Sequence, residues 1–192
     1  LRIFDGFDVR VLICLRRQDL HFESVLPEHI RSVSYETNND VLARFAPFYD
    51  YADRLAVWED SLGRERIVVQ PYMPDNRFDL TSSFFHQVGV GSAAGSAVGP
   101  ANSNPSLSRP CFEYLRRAGA FYASRGEQAR FEMLRQRMVE ADDRYLPAGG
   151  PRGFLSLGQR QRMLADYFGQ NAAVRRRYRP DLKELFADPS ED

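Results

Sequence analysis

Cysteine and histidine are scarce in this chain. Its 192 residues include two cysteines, Cys14 and Cys111, and three histidines. Two cysteines so far apart exclude a disulfide framework and a zinc-knuckle pattern. The histidines are too scattered to predict a metal site, so no metal is expected. Cysteine usage of this kind is typical of a reducing compartment, and we expect a cytoplasmic protein.

The chain also has no net charge and almost no lysine. The 26 basic and 26 acidic residues balance to a net charge of zero. This balance excludes a general nucleic-acid-binding protein, because that class carries a basic excess. Lys183 is the single lysine, so almost every positive charge is an arginine. Arginine suits bidentate recognition of phosphate or sulfate. A genome that prefers arginine codons is the alternative explanation.

The sequence contains no long apolar run. No stretch approaches the ~20 apolar residues that a membrane-spanning helix needs, and no leader-peptide pattern opens the chain. We therefore predict no membrane span. A hydrophobic fraction of 43% is sufficient for a folded core. The chain begins at Leu1 without a methionine and soon enters an apolar strand, so we expect an N-terminally truncated fragment of a longer protein.

The apolar run at residues 9–15 predicts a strand that is buried on both faces. Arg16 follows at its carboxyl end, where open α/β sheets bind their ligands. A helix is predicted next, with Asp19 as its N-cap and Ser24 in its second turn. Because a helix N-terminus attracts anions, these residues predict a phosphate site made by Arg16 and Ser24. A solvated arginine and a serine without a ligand are the ordinary alternative.

A second strand is predicted at residues 66–72. It follows a helical pattern that begins near Pro47, with the proline in the first turn, and stops at Gly63. Strand, helices and strand in this order form a crossover, which predicts two parallel strands in one sheet. The predicted fold class is α/β, a parallel sheet flanked by helices, with a helical C-terminal half.

The remainder of the chain is mostly helical in its pattern. Helical spacing recurs in four segments: 79–88, 106–124, 128–142 and 157–178. Residues 91–106 are rich in Gly, Ala, Ser and Pro and predict a flexible loop. We therefore predict three regions: part of the α/β core at 1–90, the loop at 91–106, and a helical region at 107–192.

Residues 12–30 closely resemble the 3′-phosphate-binding segment of PAPS-dependent sulfotransferases. In that family an arginine ends a core strand and a serine follows eight positions later, and Arg16 and Ser24 have this spacing. The stretch Arg16-Arg17-Gln18-Asp19 resembles the signature of a bacterial sulfotransferase-like branch, in which a later histidine matches His29. Further segments are similar to that branch in the same order: 51–63, 65–72, 104–108, 171–178 and 185–186.

This resemblance implies a parallel-sheet fold related to nucleotide kinases. It implies transfer of a sulfuryl group from PAPS (3′-phosphoadenylyl sulfate) to a hydroxyl or amine, here expected on a carbohydrate. Arg16 and Ser24 would bind the 3′-phosphate of PAPS or of its product PAP, and residues 1–90 would hold part of the nucleotide-binding core. The resemblance names no catalytic residue in this chain.

The chain departs from the family at the phosphosulfate loop. The family has a glycine-rich turn with a basic residue, typically lysine, at a helix N-terminus, and no such turn is present in the sequence. Lys183 lies near the C-terminus, in a different context. We therefore expect catalysis to need sequence that precedes Leu1. The alternative is a catalytically inactive interaction or scaffold module of the same fold, acting in polysaccharide assembly.

Other polar residues are given structural interpretations. Asp19 and Glu28 are expected to cap the helix or to lie on its surface. His29 and His86 are expected to be structural. For the arginine run at 175–177 and for Arg179, a solvated face paired with neighbouring acids is favoured over contact with a nucleotide or anionic acceptor. The aromatic residues of segment 112–122 are interpreted as packing, with a sugar site left as the alternative.

Overall fold

The computed structural model describes residues 4–31, 38–72, 80–87, 89, 107–145 and 154–189. These residues form helices and two strands, a mixed α/β architecture in which helix predominates. The elements in chain order are β1 (Val11–Arg16), α1 (Gln18–Arg31), α2 (Asn38–Tyr49), α3 (Tyr51–Leu62), a 3₁₀ turn (Arg64–Arg66), β2 (Ile67–Tyr72), α4 (Leu80–Gln87), α5 (Arg109–Ala123), α6 (Gln128–Tyr145) and α7 (Leu157–Tyr178).

The two strands pair in parallel, as the crossover predicts. Val11 is opposite Ile67 at one end of the register, and Arg16 is opposite Tyr72 at the other. β1 begins two residues later than predicted and includes Arg16 as its last residue. The arginine is therefore fixed by the strand itself and does not lie in the connection that follows it.

Burial of β1 on both faces was a wrong prediction for the described residues. Leu15 is buried and Ile13 packs against the same core, whereas Cys14 on the opposite face is exposed. Successive side chains of a strand point to opposite faces, so the described residues cover one face of β1 much better than the other. A continuous apolar run hides this difference because Cys14 reads as apolar in the sequence.

The first of two compact units contains Leu1–Gln18, Phe48–Ala101 and Gln161–Asp192. Its core brings together both strands, α3, α7 and the segment that follows α7. The buried residues of this core are Leu15, Tyr51, Leu55, Ile67, Val69, Val174, Tyr178 and Leu185. Burial of large apolar side chains contributes roughly 1.5–3 kcal/mol each, so this cluster is the main stabilising feature of the first unit.

The segment predicted to form one helix from Pro47 to Gly63 contains the end of α2 and the whole of α3. Pro47 lies inside α2, near its end, and α3 begins after Asp50. The Asp50 carboxylate accepts a hydrogen bond of 3.1 Å from the backbone N–H of Asp53, which makes Asp50 the N-cap of α3. The first-turn role predicted for Pro47 is therefore wrong, because an aspartate cap three residues later starts the helix. Gly63, with φ of 88°, ends α3 as predicted.

The second compact unit contains Asp19–Pro47 and Asn102–Arg160. Ser108 is the N-cap of α5, and its backbone N–H donates a hydrogen bond of 2.7 Å to the carboxylate of Asp142 on α6. The Ser108 hydroxyl also bonds that carboxylate. Buried Phe112 packs against Phe154, with ring centroids 4.5 Å apart. These contacts tie α5, α6 and the segment before α7 together within this unit.

The predicted loop at 91–106 lies outside the described residues. The division of the chain into regions at 1–90 and 107–192 stays a prediction. The proline at position 27 lies inside α1, which continues to Arg31.

Candidate anion-binding site at the end of β1

Arg16 lies at the carboxyl end of β1 and is held there by two aromatic neighbours. Its guanidinium carbon is 5.2 Å from the ring centroid of Tyr72, its partner in the sheet register. Its backbone carbonyl accepts a hydrogen bond of 2.6 Å from the Tyr51 hydroxyl. The strand pairing, the Tyr72 ring and the Tyr51 hydroxyl together fix the position of Arg16.

The Nε atom of Arg16 is buried and has no hydrogen-bond partner among the described residues. Leaving a buried donor unsatisfied costs roughly 1–3 kcal/mol, and more when the group is charged. An arginine side chain offers five N–H donors in a rigid fork that matches a phosphate or sulfate. Arg16 therefore has both the position and the donor capacity to bind an oxyanion.

Arg17 differs from Arg16 in its surroundings. It is 3% exposed, and its Nη1 donates a hydrogen bond of 3.1 Å to the carbonyl oxygen of Ala187. This bond holds the segment after α7 against the end of β1. The two consecutive arginines therefore have different roles, and Arg17 serves the fold.

Gln18 forms a reciprocal amide pair with Asn171 on α7. Gln18 Nε2 donates to Asn171 Oδ1 at 2.7 Å, and Asn171 Nδ2 donates to Gln18 Oε1 at 3.1 Å. Gln18 is fully buried, and its amide also lies 3.4 Å from the carbonyl oxygen of Tyr49. Because the pair satisfies the polar atoms that it buries, it fixes α7 relative to β1 at low cost.

Burial raises the pKa of the Tyr51 phenol, and the neighbouring Tyr49 raises it further, against the opposing effect of the Arg54 and Arg16 charges. Tyr51 therefore stays neutral at physiological pH. Its hydroxyl remains a hydrogen-bond donor to the carbonyl oxygen of Arg16.

Ser24, the second residue predicted to bind phosphate, belongs to a different compact unit from Arg16. The structure therefore describes each of them within its own surroundings. The Ser24 hydroxyl donates a hydrogen bond of 3.0 Å to the backbone carbonyl of His21 in its own helix. To donate to a phosphate, this hydroxyl has to rotate away from that carbonyl.

Asp19 is neither the N-cap nor a surface charge, which corrects both predictions. α1 begins at Gln18, and Asp19 in its first turn is fully buried. Its carboxylate is 3.9 Å from the guanidinium of Arg160, which also pairs with Glu23 at 2.9 Å. Glu23 further accepts hydrogen bonds of 2.8 and 2.9 Å from the backbone N–H groups of Phe154 and Leu155. This group of side chains anchors the start of α7 on α1 within the second unit.

Two of the four arginines at the end of α7 pair with acids, as the favoured interpretation predicts for the run. Arg177 pairs with Glu59, and Arg179 pairs with Asp181 at 2.7 Å. The Asp181 carboxylate raises the pKa of Arg179 through their hydrogen bond. Arg175 Nη1 instead donates to the carbonyl oxygen of Leu182 at 2.9 Å. The pairing of Arg177 and Arg179 leaves little support for an anionic ligand at those two residues.

Two histidines were predicted to have structural roles, and the structure describes the side chain of one of them. His86 is exposed on α4, and the side chain of His29 lies outside the described residues. In the described segments, no group of three or more His, Cys, Asp or Glu side chains could hold a metal ion. Within the same segments, no helix is long and apolar enough to cross a membrane.

A groove lies next to this site, and the sequence did not predict it. It has a volume of about 790 Å³ and lies between α7 and residues 183–189 in the first unit. Asn171 lines it while pairing with Gln18, which directly follows the end of β1. The groove therefore adjoins the carboxyl end of the strand, where α/β proteins bind ligands. Its only sequence signal is the apolar spacing of positions 164, 168 and 172.

Comparison of the chain with family models, with curated proteins and with solved structures finds no match.

Proposed function

We propose that this chain is a sulfotransferase-like protein in which Arg16 binds the 3′-phosphate of PAPS or PAP. The observation that carries the proposal is the buried Nε of Arg16 at the carboxyl end of β1, a charged donor with no hydrogen-bond partner among the described residues. The sequence resemblance of residues 12–30 gives the anion its identity as a nucleotide phosphate.

The surroundings of Arg16 favour binding with little reorganisation. The Tyr72 ring and the parallel register hold the guanidinium at the strand end. A hydrogen bond to a charged group contributes roughly 1.5–3 kcal/mol, and a bidentate arginine–phosphate contact adds geometric specificity. The neighbouring Arg17 and Gln18 are already bonded to Ala187 and Asn171, so their role in the proposal is to support the strand end.

The proposed reaction is sulfuryl transfer to an acceptor hydroxyl or amine, expected on a carbohydrate. The acceptor oxygen or nitrogen forms a bond to sulfur, the bond between sulfur and the PAP oxygen breaks, and the acceptor proton passes to a base. No residue of this chain is assigned as that base. The residues assigned are those that bind: Arg16 and, from the resemblance, Ser24.

Calorimetric titration with PAP tests Arg16. Arg16→Ala should weaken PAP binding by about tenfold to a hundredfold, the equivalent of one charged hydrogen bond. Arg10→Ala is the matched control, because Arg10 is exposed and pairs with Asp8 just before the strand. Adenosine 5′-monophosphate, which lacks the 3′-phosphate, should be bound equally by wild type and Arg16→Ala. Equal PAP affinity of wild type and Arg16→Ala would refute the assignment.

Ser24→Ala tests the second residue by the same titration. Ser61→Ala is its control, because the Ser61 hydroxyl also donates at 3.0 Å to a carbonyl of its own helix, that of Val57. Ser24→Ala should weaken PAP binding by about threefold to tenfold, the effect of one neutral hydrogen bond, and Ser61→Ala should not. Failure of the wild-type chain to bind PAP at all would favour the scaffold alternative over the enzyme.

A further inference from the structure

The groove between α7 and residues 183–189 has the size and the lining of a small-molecule site. Its volume of about 790 Å³ falls in the range of roughly 300–1,000 Å³ that is usual for ligand pockets. Apolar side chains form much of its wall: Leu164, Phe168 and Ala172 from α7, and Phe186 and Pro189 from the following segment.

Phe168 is the clearest sign that the groove serves a ligand. It is 74% exposed, although the same helix buries Met163, Val174 and Tyr178. Positions 164, 168 and 172 are four residues apart and so lie on one face of α7. That face lines the groove. An apolar ligand in the groove would cover this aromatic ring, and removal of apolar surface from water is favourable by about 25 cal/mol per Å².

Two basic residues, Arg175 and Lys183, line the groove. Arg175 Nη1 donates a hydrogen bond of 2.9 Å to the carbonyl oxygen of Leu182, the residue just before Lys183. Both side chains line the groove, and neither forms an ion pair with a described residue. Two acidic residues, Glu184 and Asp188, line the groove as well. Asp188 already has a polar interaction of its own, and it follows Ala187, whose carbonyl oxygen accepts a hydrogen bond from the buried Arg17.

We propose that the groove binds an amphipathic organic anion: an apolar, ring-sized body against Phe168, with its anionic group at Arg175 and Lys183. The body matches the apolar wall, and Arg175 and Lys183 offer N–H donors and positive charge to the anionic group. This site does not use Arg16, Ser24 or a nucleotide, and it stands or falls independently of the proposed function.

Titration of the full chain with naphthalene-2-sulfonate tests the site, with the neutral naphthalene-2-methanol as the matched probe. We expect one sulfonate to bind per chain, more tightly than the alcohol. Phe168→Ala should weaken both probes by about tenfold, the loss of an aromatic contact. Lys183→Gln should weaken only the sulfonate, by about threefold to fivefold, as for a partly exposed ion pair.

Two substitutions are matched controls. Phe84→Ala removes another exposed phenylalanine, 48% exposed on α4, and Arg176→Gln removes an exposed charge adjacent to Arg175 that does not line the groove. Both should leave the affinities unchanged. Because Phe168 is mostly exposed, its alanine variant should keep the wild-type circular dichroism spectrum.

Three results would overturn the proposal. One is binding without saturation, and the second is wild-type affinity in Phe168→Ala. The third is displacement of the sulfonate by PAP together with its loss in Arg16→Ala, because the anion would then lie at the strand end. Retention of sulfonate binding by Arg16→Ala would support the groove.

Discussion

The buried amide pair between Gln18 and Asn171 gives the sharpest test of how the strand end is built. Its two hydrogen bonds, at 2.7 and 3.1 Å, join residues separated by 153 positions in sequence. The substitutions Gln18→Leu, Asn171→Leu and their combination form a double-mutant cycle. The cycle measures whether the pair acts as one unit.

The expected magnitudes differ because the two residues differ in burial. Among the described residues, Asn171→Leu leaves the fully buried Gln18 amide with only the Tyr49 carbonyl at 3.4 Å. It should lower the free energy of unfolding by about 2–3 kcal/mol. Gln18→Leu removes the amide partner of Asn171, which lines the groove and can bond to water instead. It should lower the free energy of unfolding by about 1–2 kcal/mol. In the double variant no amide is left unpaired, so its loss should be about 1–2 kcal/mol smaller than the sum of the two single losses.

Urea denaturation followed by far-ultraviolet circular dichroism measures these differences. Gln136→Leu, an exposed glutamine on α6, is the matched control and should change stability by less than about 0.5 kcal/mol. The reasoning would be refuted if the two single losses added within about 0.5 kcal/mol in the double variant. A larger loss from Gln18→Leu than from Asn171→Leu would equally contradict it.

Two further predictions concern the first unit. Arg64 donates to the carbonyl oxygen of Arg177 at 2.9 and 2.6 Å, and its guanidinium carbon is 4.4 Å from the Tyr178 ring centroid. Arg64→Ala should therefore lower the free energy of unfolding by about 1 kcal/mol, as measured by urea denaturation. Arg64→Lys should not restore the lost stability, because an ammonium lacks the planar fork of a guanidinium. Burial raises the pKa values of Tyr49 and Tyr51, so their stabilising contribution is complete below the unfolded-state pKa of about 10 and falls as pH rises above it. Denaturation at a series of alkaline pH values should show that the free energy of unfolding falls by up to about 2.7 kcal/mol per pH unit, the linkage value for two groups. A free energy of unfolding that does not change over this pH range would contradict the prediction.

Local sequence signals predicted the elements well where one signal dominated. α7 spans Leu157–Tyr178, as its helical spacing predicts, and β2 begins one residue after its predicted start. The parallel pairing followed from the crossover order alone. At Pro47 the proline predicted the wrong start, because the carboxylate of Asp50 caps α3 three residues later.

The partners of the predicted site residues were beyond sequence reasoning. The position of Arg16 at the strand end follows from neighbouring residues. The bonding of Arg17 to Ala187 and of Gln18 to Asn171 depends on contacts across more than 150 positions. The groove was missed for the same reason, because one of its walls is the irregular segment 183–189, which has no periodic pattern.

The interleaving of the two compact units has a consequence for synthesis of the chain. The first unit takes Leu1–Gln18, Phe48–Ala101 and Gln161–Asp192, so both strands leave the ribosome long before the helix that covers them. Val174 and Tyr178, which complete that core, are translated only after the whole of the second unit. Until then the nascent chain exposes apolar strand surface, which is the condition under which chains aggregate or recruit chaperones. Folding of the strand end that carries Arg16 therefore has to follow synthesis of α7.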